Sequence, residues 1–356
     1  TNSTTVTVDV LGDQLVEIDE TFTVNLTAAL FGGASDASRV IIGDGSGLGT
    51  ILNDDMAQLS IDDVAISEGD TGVTTFTFTI SSDLQSSNDL GVTVDTDSDP
   101  GLQTIGGADF TAIVAQSAVI TAGTNSTTVT VDVLGDQLVE IDETFTVNLT
   151  AALFGGASDA TRVTIGDGSG LGTILNDDMA QLSIDDVSLA EGDTGVTTFT
   201  FTISSDLQSS NDLGVTVDTD SDPGLQTIGG ADFTPLVAQS AVITAGTNST
   251  TVTVDVLGDQ LVEIDETFTV NLTAALFGGA SDASRVIIGD GSGLGTILND
   301  DMAQLSIDDV SLAEGDAVGK RHNYKHTTHN QSSPIQGGAG DTDGGAGLRA
   351  RGGAGV

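Results

Sequence analysis

Cysteine and tryptophan are missing from the 356 residues of this chain, and basic residues number eight against 53 acidic ones. Without cysteine, no disulfide staples the fold and no thiolate is available as nucleophile or metal ligand. A formal net charge of −45 excludes nucleic acid and anionic membrane surfaces as partners, because their phosphates are repelled. No apolar run is long enough to cross a bilayer. Helix formers are scarce, while Thr, Val, Ile, Asp and Gly abound; that is the composition of an all-β protein with many turns. A hydrophobic share of 38% supports real cores, so wholesale disorder is not expected. The chain opens on Thr1 and reads as a fragment, with any export signal out of view.

What is present is repetition. "NDDMAQLSIDDV" begins at Asn53, Asn176 and Asn299, and "GDQLVEIDETFTVNL" at Gly12, Gly135 and Gly258, a period of 123 residues. The copies are nearly identical; Ala112 against Pro235 is one of the few differences. The expected organisation is the C-terminal half of a unit over 1–55, full units over 56–178 and 179–301, and the first strand of a further unit over 302–316. Residues 317–356 hold five of the eight basic residues and all three His, and read as a Gly-rich, disordered or non-native tail. His322, His326 and His329 have the spacing of a metal set on a helix, but their Gly- and Asn-containing setting reads as low complexity.

Within a unit the apolar period is two. "TTFTFTI" alternates Phe76, Phe78 and Ile80 with threonines, and "FTVNLTAAL" puts Phe145, Val147 and Leu149 on one face. With "QLSIDDV", "GVTVDTD", "SAVIT", "TTVTVDV" and "GTILN", about seven half-buried strands per unit are predicted. The fold class is all-β: tandem seven-stranded antiparallel sandwiches in an elongated array, with a closed barrel as the competing architecture. Few free residues separate the units, so independent tumbling is not expected. "GDGSGLG" (from Gly43, Gly166 and Gly289) lacks the Lys and the helix of a phosphate loop, and is predicted to be a flexible connection.

Each "GDQLVEIDE" puts four carboxylates into eight residues; in the middle copy they are Asp136, Glu140, Asp142 and Glu143. Two carboxylates about 4 Å apart repel by roughly 4 kcal/mol at an effective dielectric near 20. One Arg per unit (Arg39, Arg162, Arg285) is too little to neutralise them. Calcium suits such a site, since it takes about 6–8 oxygen ligands in flexible geometry, whereas zinc wants the His or Cys that the units lack. The competing reading is a solvated acidic surface, and scattered residues such as Asp62 and Asp132 are assigned to it. "DTDSDPG" (Asp95, Asp97, Asp99, and again from Asp218) begins like an EF-hand loop, but Pro100 stands where that loop needs Gly. It reads as a turn-rich strand end.

Four blocks in order, "EGD", "GGADF", "GDQLVEIDETFTVNL" and "GTILNDD", resemble the Calx-beta domain, over both full units and the N-terminal half-unit. The resemblance implies that these blocks meet at one end of a sandwich and bind Ca2+. In the first full unit it implicates Glu68, Asp109, Asp136, Glu140, Glu143, Asp177 and Asp178. In the second it implicates Glu191, Asp232, Asp259, Glu263, Glu266, Asp300 and Asp301. The half-unit keeps Asp13, Glu17, Glu20, Asp54 and Asp55, an incomplete set. Asn176 and Asn299 stand where the family often has Asp, which implies less charge and weaker binding. Asp142 and Asp265 are left as supporting or outward-facing residues.

Catalysis lacks its usual bases and nucleophiles, since the units have no His, Cys or Lys. The expected role is that of a calcium-stiffened stalk or adhesive segment of a large bacterial protein, secreted or at the cell surface. The alternatives are a module binding a glycan or protein through its loops, or a self-assembling fibre subunit whose exposed edge strands pair with another copy.

Overall fold

The computed structural model describes residues 2–98, 109–221, 232–311 and 326–329. The first full unit contains β5 (Ala57–Ile61), β6 (Val64–Ser67), β7 (Gly72–Ser82), β8 (Leu90–Ser98) and β9 (Gln116–Ile120). β10 (Ser126–Gly135), β11 (Glu143–Phe154), β12 (Val163–Asp167) and β13 (Ser169–Leu175) complete it. A four-stranded sheet, β10-β7-β5-β12, faces a five-stranded one, β6-β13-β11-β8-β9. The second unit repeats the order with β14 (Ala180–Ile184), β15 (Val187–Ala190), β16 (Gly195–Ser205), β17 (Leu213–Ser221) and β18 (Gln239–Ile243). Its remaining strands are β19 (Ser249–Gly258), β20 (Glu266–Phe277), β21 (Val286–Asp290) and β22 (Ser292–Leu298). Ahead of both lie β1 (Glu20–Asn25), paired with β4 (Ser46–Ile51), and the small hairpin β2 (Leu30–Phe31) and β3 (Ala34–Ser35). Among the described residues no helix is long and apolar enough to cross a membrane.

The period-2 pattern becomes burial directly. Phe76, Phe78, Ile80, Phe145 and Val147 are fully buried between the sheets. Phe145 is the hub: its ring lies 5.8 Å from Phe76, 6.0 Å from Phe78 and 4.5 Å from Phe110, centroid to centroid. Each such side chain contributes on the order of 1.5–3 kcal/mol. The second unit copies the cluster around Phe268.

Nine strands appear per unit where seven were expected, because the first and last ones change sheets. "QLSIDDV" leaves one sheet after Ile61 and joins the other at Val64. Asp62 and Asp63 serve this crossing: their carboxylates accept the Thr79 N–H at 2.6 Å and the Leu171 N–H at 2.8 Å. Asp62 is exposed, as expected of a solvated acidic residue, and in addition it supplies an acceptor to the backbone where the strand changes sheets. "GDGSGLG" is corrected. Gly166 and Asp167 end β12, Ser169 opens β13, and the Gly168 carbonyl accepts the Leu149 N–H at 2.7 Å. It is the second crossing, not a loose connection. β5 pairs in parallel with β12 and β6 in parallel with β13, so each unit's first and last strands run side by side.

Asp95 and Asp97 lie on β8, as a strand end requires; Asp99, Pro100 and Gly106 fall outside the described residues. In the tail, His326–His329 is an extended strand, β24, paired antiparallel with β23 (Gln304–Ile307). An extended backbone sets aside the helical spacing on which a histidine metal set depended, and His322 lies outside the described residues.

Candidate metal centre

Two glycines bring the acidic blocks together. Gly69, in "EGD", holds φ at +87°, the left-handed region open to glycine at little cost. Gly135, opening "GDQLVEIDE", lies so close to the Gly69 and Glu68 carbonyls that any added Cβ overlaps backbone. Glu68 and Asp136 are thereby pressed to one end of the sandwich. Asp136 then accepts the Leu138 N–H at 2.7 Å, and Asp177 the Gly69 N–H at 3.2 Å, which folds the loops over one another.

All seven residues implicated in each full unit converge there. In the first, oxygen atoms of Asp109, Glu140 and Glu143 lie within 4.8 Å of one another. In the second, two triads meet that distance: Asp232, Glu263 and Glu266, and Glu191, Asp300 and Asp301. Glu68, Glu140, Glu143 and Asp178 are at most 6% exposed. Burial, then the Asp136, Asp177, Asp178 and Asp109 carboxylates, push the Glu68 carboxyl up to about 8. Burial, then Glu143 and Asp136, take Glu140 to about 8 as well. Asp178 rises to about 6, and in the second unit Glu191 and Glu263 rise to about 7, burial leading in each case. The half-unit's Glu17 is raised by burial and by Glu20, Asp13 and Asp55.

Glu140 Oε1, Asp178 Oδ2 and Asp301 Oδ2 are buried without a hydrogen-bond partner among the described residues. A buried carboxylate oxygen left so costs more than a kcal/mol. An all-oxygen donor set, crowded to within 4.8 Å and short of hydrogen-bond donors, fits a hard divalent cation of calcium type.

Sequence reasoning missed Asp70 and Asp193, the last residues of "EGD"; their charges act on Asp178 and Asp301 respectively. Their position two residues after Glu68 and Glu191 was the available signal. Asn176 also has a structural part here. Its Oδ1 accepts the Glu140 N–H at 2.8 Å and its Nδ2 donates to the Asp178 carbonyl at 2.8 Å, so it clamps two acidic loops.

The same loop forms the junction with the next unit. Val139 is fully buried within the second unit's core cluster. Its N–H donates to the Gln208 carbonyl and its carbonyl accepts from the Ser210 N–H, both at 3.0 Å. Arg285, reaching back from the second unit, donates to the Glu140 carbonyl at 2.5 Å and pairs with Asp142 at 2.8 Å. Its guanidinium also pairs with Asp282 at 2.8 Å and sits over the Phe277 ring at 5.6 Å. Val16, Arg162, Glu17 and Asp19 repeat the arrangement at the half-unit's junction. The single Arg of each full unit thus serves the junction and leaves the acidic cluster unneutralised.

The Calx-beta domain family matches residues 1–46, 53–169 and 176–292, more than half of the chain, and the chain belongs to that family. Among solved structures it is similar to CBD12 from CALX1.2, at 14% identity and TM-score 0.30, covering 67% of this chain and 99% of that one. The apo-form Calx CBD1 domain aligns at 16% identity and TM-score 0.28, covering 35% of this chain and 100% of that one. No curated protein matches the chain.

Proposed function

We propose that this chain is a calcium-binding structural array, part of the stalk or adhesive segment of a large exported bacterial protein, in which Ca2+ stiffens each junction. The observation that carries the reading is Glu140. Its carboxyl is buried in the acidic cluster, its carbonyl accepts from Arg285 of the next unit, and its neighbour Val139 is buried in that unit. Glu68, Asp109, Asp136, Glu140, Glu143, Asp177 and Asp178 are the proposed ligands of the first full unit. Glu191, Asp232, Asp259, Glu263, Glu266, Asp300 and Asp301 are those of the second. Calcium supplies the positive charge that lets these carboxylates stay ionised together.

Docking of the next unit and ionisation of the cluster oppose each other. Val139 is fully buried under the second unit, whereas its counterpart Val262 is 42% exposed. Burial is the leading cause that pushes the Glu140 and Glu68 carboxyls up at this covered junction. A cation relieves the opposition and so favours the docked junction. The role is structural rather than catalytic.

The test is calorimetry and small-angle scattering of the full chain with calcium and with chelator. Calcium at about a hundred times its Kd stabilises by about 2.7 kcal/mol per site and raises the melting temperature. It also narrows the distribution of scattering dimensions. Glu140→Gln, Asp178→Asn, Glu263→Gln and Asp301→Asn together remove both effects. Superimposable traces with and without calcium sink the reading.

A further inference from the structure

The inner face of β7 changes character at one end. Phe76, Phe78 and Ile80 point into the core and are fully buried, but the next inward position toward "EGD" is the half-buried Thr74, opposite the fully buried Val133. β16 repeats this with Thr197, ahead of Phe199, Phe201 and Ile203 and opposite Val256. Valine has the same branched shape and would extend the apolar row, so the hydroxyl has a role of its own.

That role lies in the main chain of "EGD". Thr74 Oγ1 donates to the Glu68 carbonyl at 2.5 Å, and Thr197 Oγ1 to the Glu191 carbonyl at 2.5 Å. Across the same peptide bond, the Gly69 N–H donates to Asp177 Oδ1 at 3.2 Å, and the Gly192 N–H to Asp300 Oδ1 at 3.3 Å. Each Glu-Gly peptide is therefore tied at both ends, its carbonyl by a threonine and its N–H by a carboxylate of the cluster. Gly69 and Gly192 both hold φ at +87°, and glycine moves between backbone conformations at little cost. The residue itself thus does not fix which way the preceding peptide faces. Yet that orientation sets where Glu68 and Glu191, each 4% exposed, aim their carboxyls. Crowded carboxylates push the segment outward when no cation is present.

Resting on the calcium reading above, we infer that Thr74 and Thr197 are positioning residues of the cation site: each locks the peptide that aims a buried glutamate at the ion. Both hydroxyls act through the main chain rather than as ligands. The lock keeps the loop in its binding conformation before calcium arrives. When that conformation is less populated, the apparent affinity falls in proportion. Groups that orient metal ligands typically account for roughly 10–100-fold in affinity.

The test compares Thr74→Val with Thr197→Val against Thr74→Ser with Thr197→Ser, which keeps the hydroxyl. In calorimetric titration of the full chain, the valine pair binds Ca2+ about tenfold more weakly or worse, and the serine pair binds like the unsubstituted chain. In chelator the melting transition stays in place for both, because the freed carbonyl turns to water and valine joins the apolar row. Amide exchange in chelator needs no ion: the Gly69 and Gly192 N–H groups exchange about tenfold faster in the valine pair alone. Unchanged exchange in the valine pair overturns the lock, whatever calcium does. Faster exchange with unchanged affinity overturns the positioning role. An unsubstituted chain that takes up no calcium sinks the calcium reading and the positioning role with it, while the exchange rates still decide the lock.

Discussion

At positions 176 and 299 an amide stands where the family often has a carboxylate, and each end of that amide holds a different loop. Asn299 accepts the Glu263 N–H at 2.8 Å and donates to the Asp301 carbonyl at 2.9 Å. A carboxylate can do the first but not the second, and it adds charge to a crowded cluster. Asn299→Asp is expected to cost about 1 kcal/mol in chelator, measured by urea titration of the full chain, because a half-buried carbonyl loses its donor. At this scale the sequence showed which carboxylates repeat and which blocks resemble a family. It did not show what any single polar atom touches. The junction role of Arg285 is hidden in the sequence because its partners Glu140 and Asp142 lie 145 and 143 residues away, across a junction that no local pattern reveals. Asp142, left undecided on sequence, proves to be the acidic half of that pair.

The acidic loops act as one element, and their protonation sets how stability depends on pH. Burial and the neighbouring carboxylates push Glu68 and Glu140 up to about 8 and Glu191 and Glu263 up to about 7, well above ordinary carboxylates. A raised carboxyl contributes stability that is complete below its unfolded value and is lost as pH climbs through its folded value. In chelator, the melting temperature should therefore fall steadily between about pH 5 and pH 8. With calcium the trend reverses, since ligands must be deprotonated to bind. Thermal melts across that range, with and without chelator, check both slopes; a flat profile in chelator defeats the account. Strand positions were legible at this scale because burial on one face writes a period of two into residues such as Phe76, Phe78 and Ile80. The sheet changes at Asp62 and Gly168 were not. A strand that moves between sheets keeps its alternation, and only the polar residue at the crossing betrays it.

Across the whole molecule the repeat was plain in the sequence, and the junction was not. Near-identical units give near-identical contacts: Val16 and Arg162 at one boundary, Val139 and Arg285 at the next. One rule of assembly therefore serves every boundary described. The parallel pairing of each unit's first and last strands carries a mechanical consequence. Tension applied along the chain pulls β5 and β13 from opposite ends of neighbouring ladders, so β5–β12 and β6–β13 are loaded in shear. Hydrogen bonds sheared side by side must break together, whereas unzipping breaks them one after another. Stretching a single molecule should give two force peaks for the two full units, each releasing on the order of 400 Å of chain, at about 3.4 Å per residue. Hung between two attachments, such a segment resists load without yielding until a whole unit gives way at once.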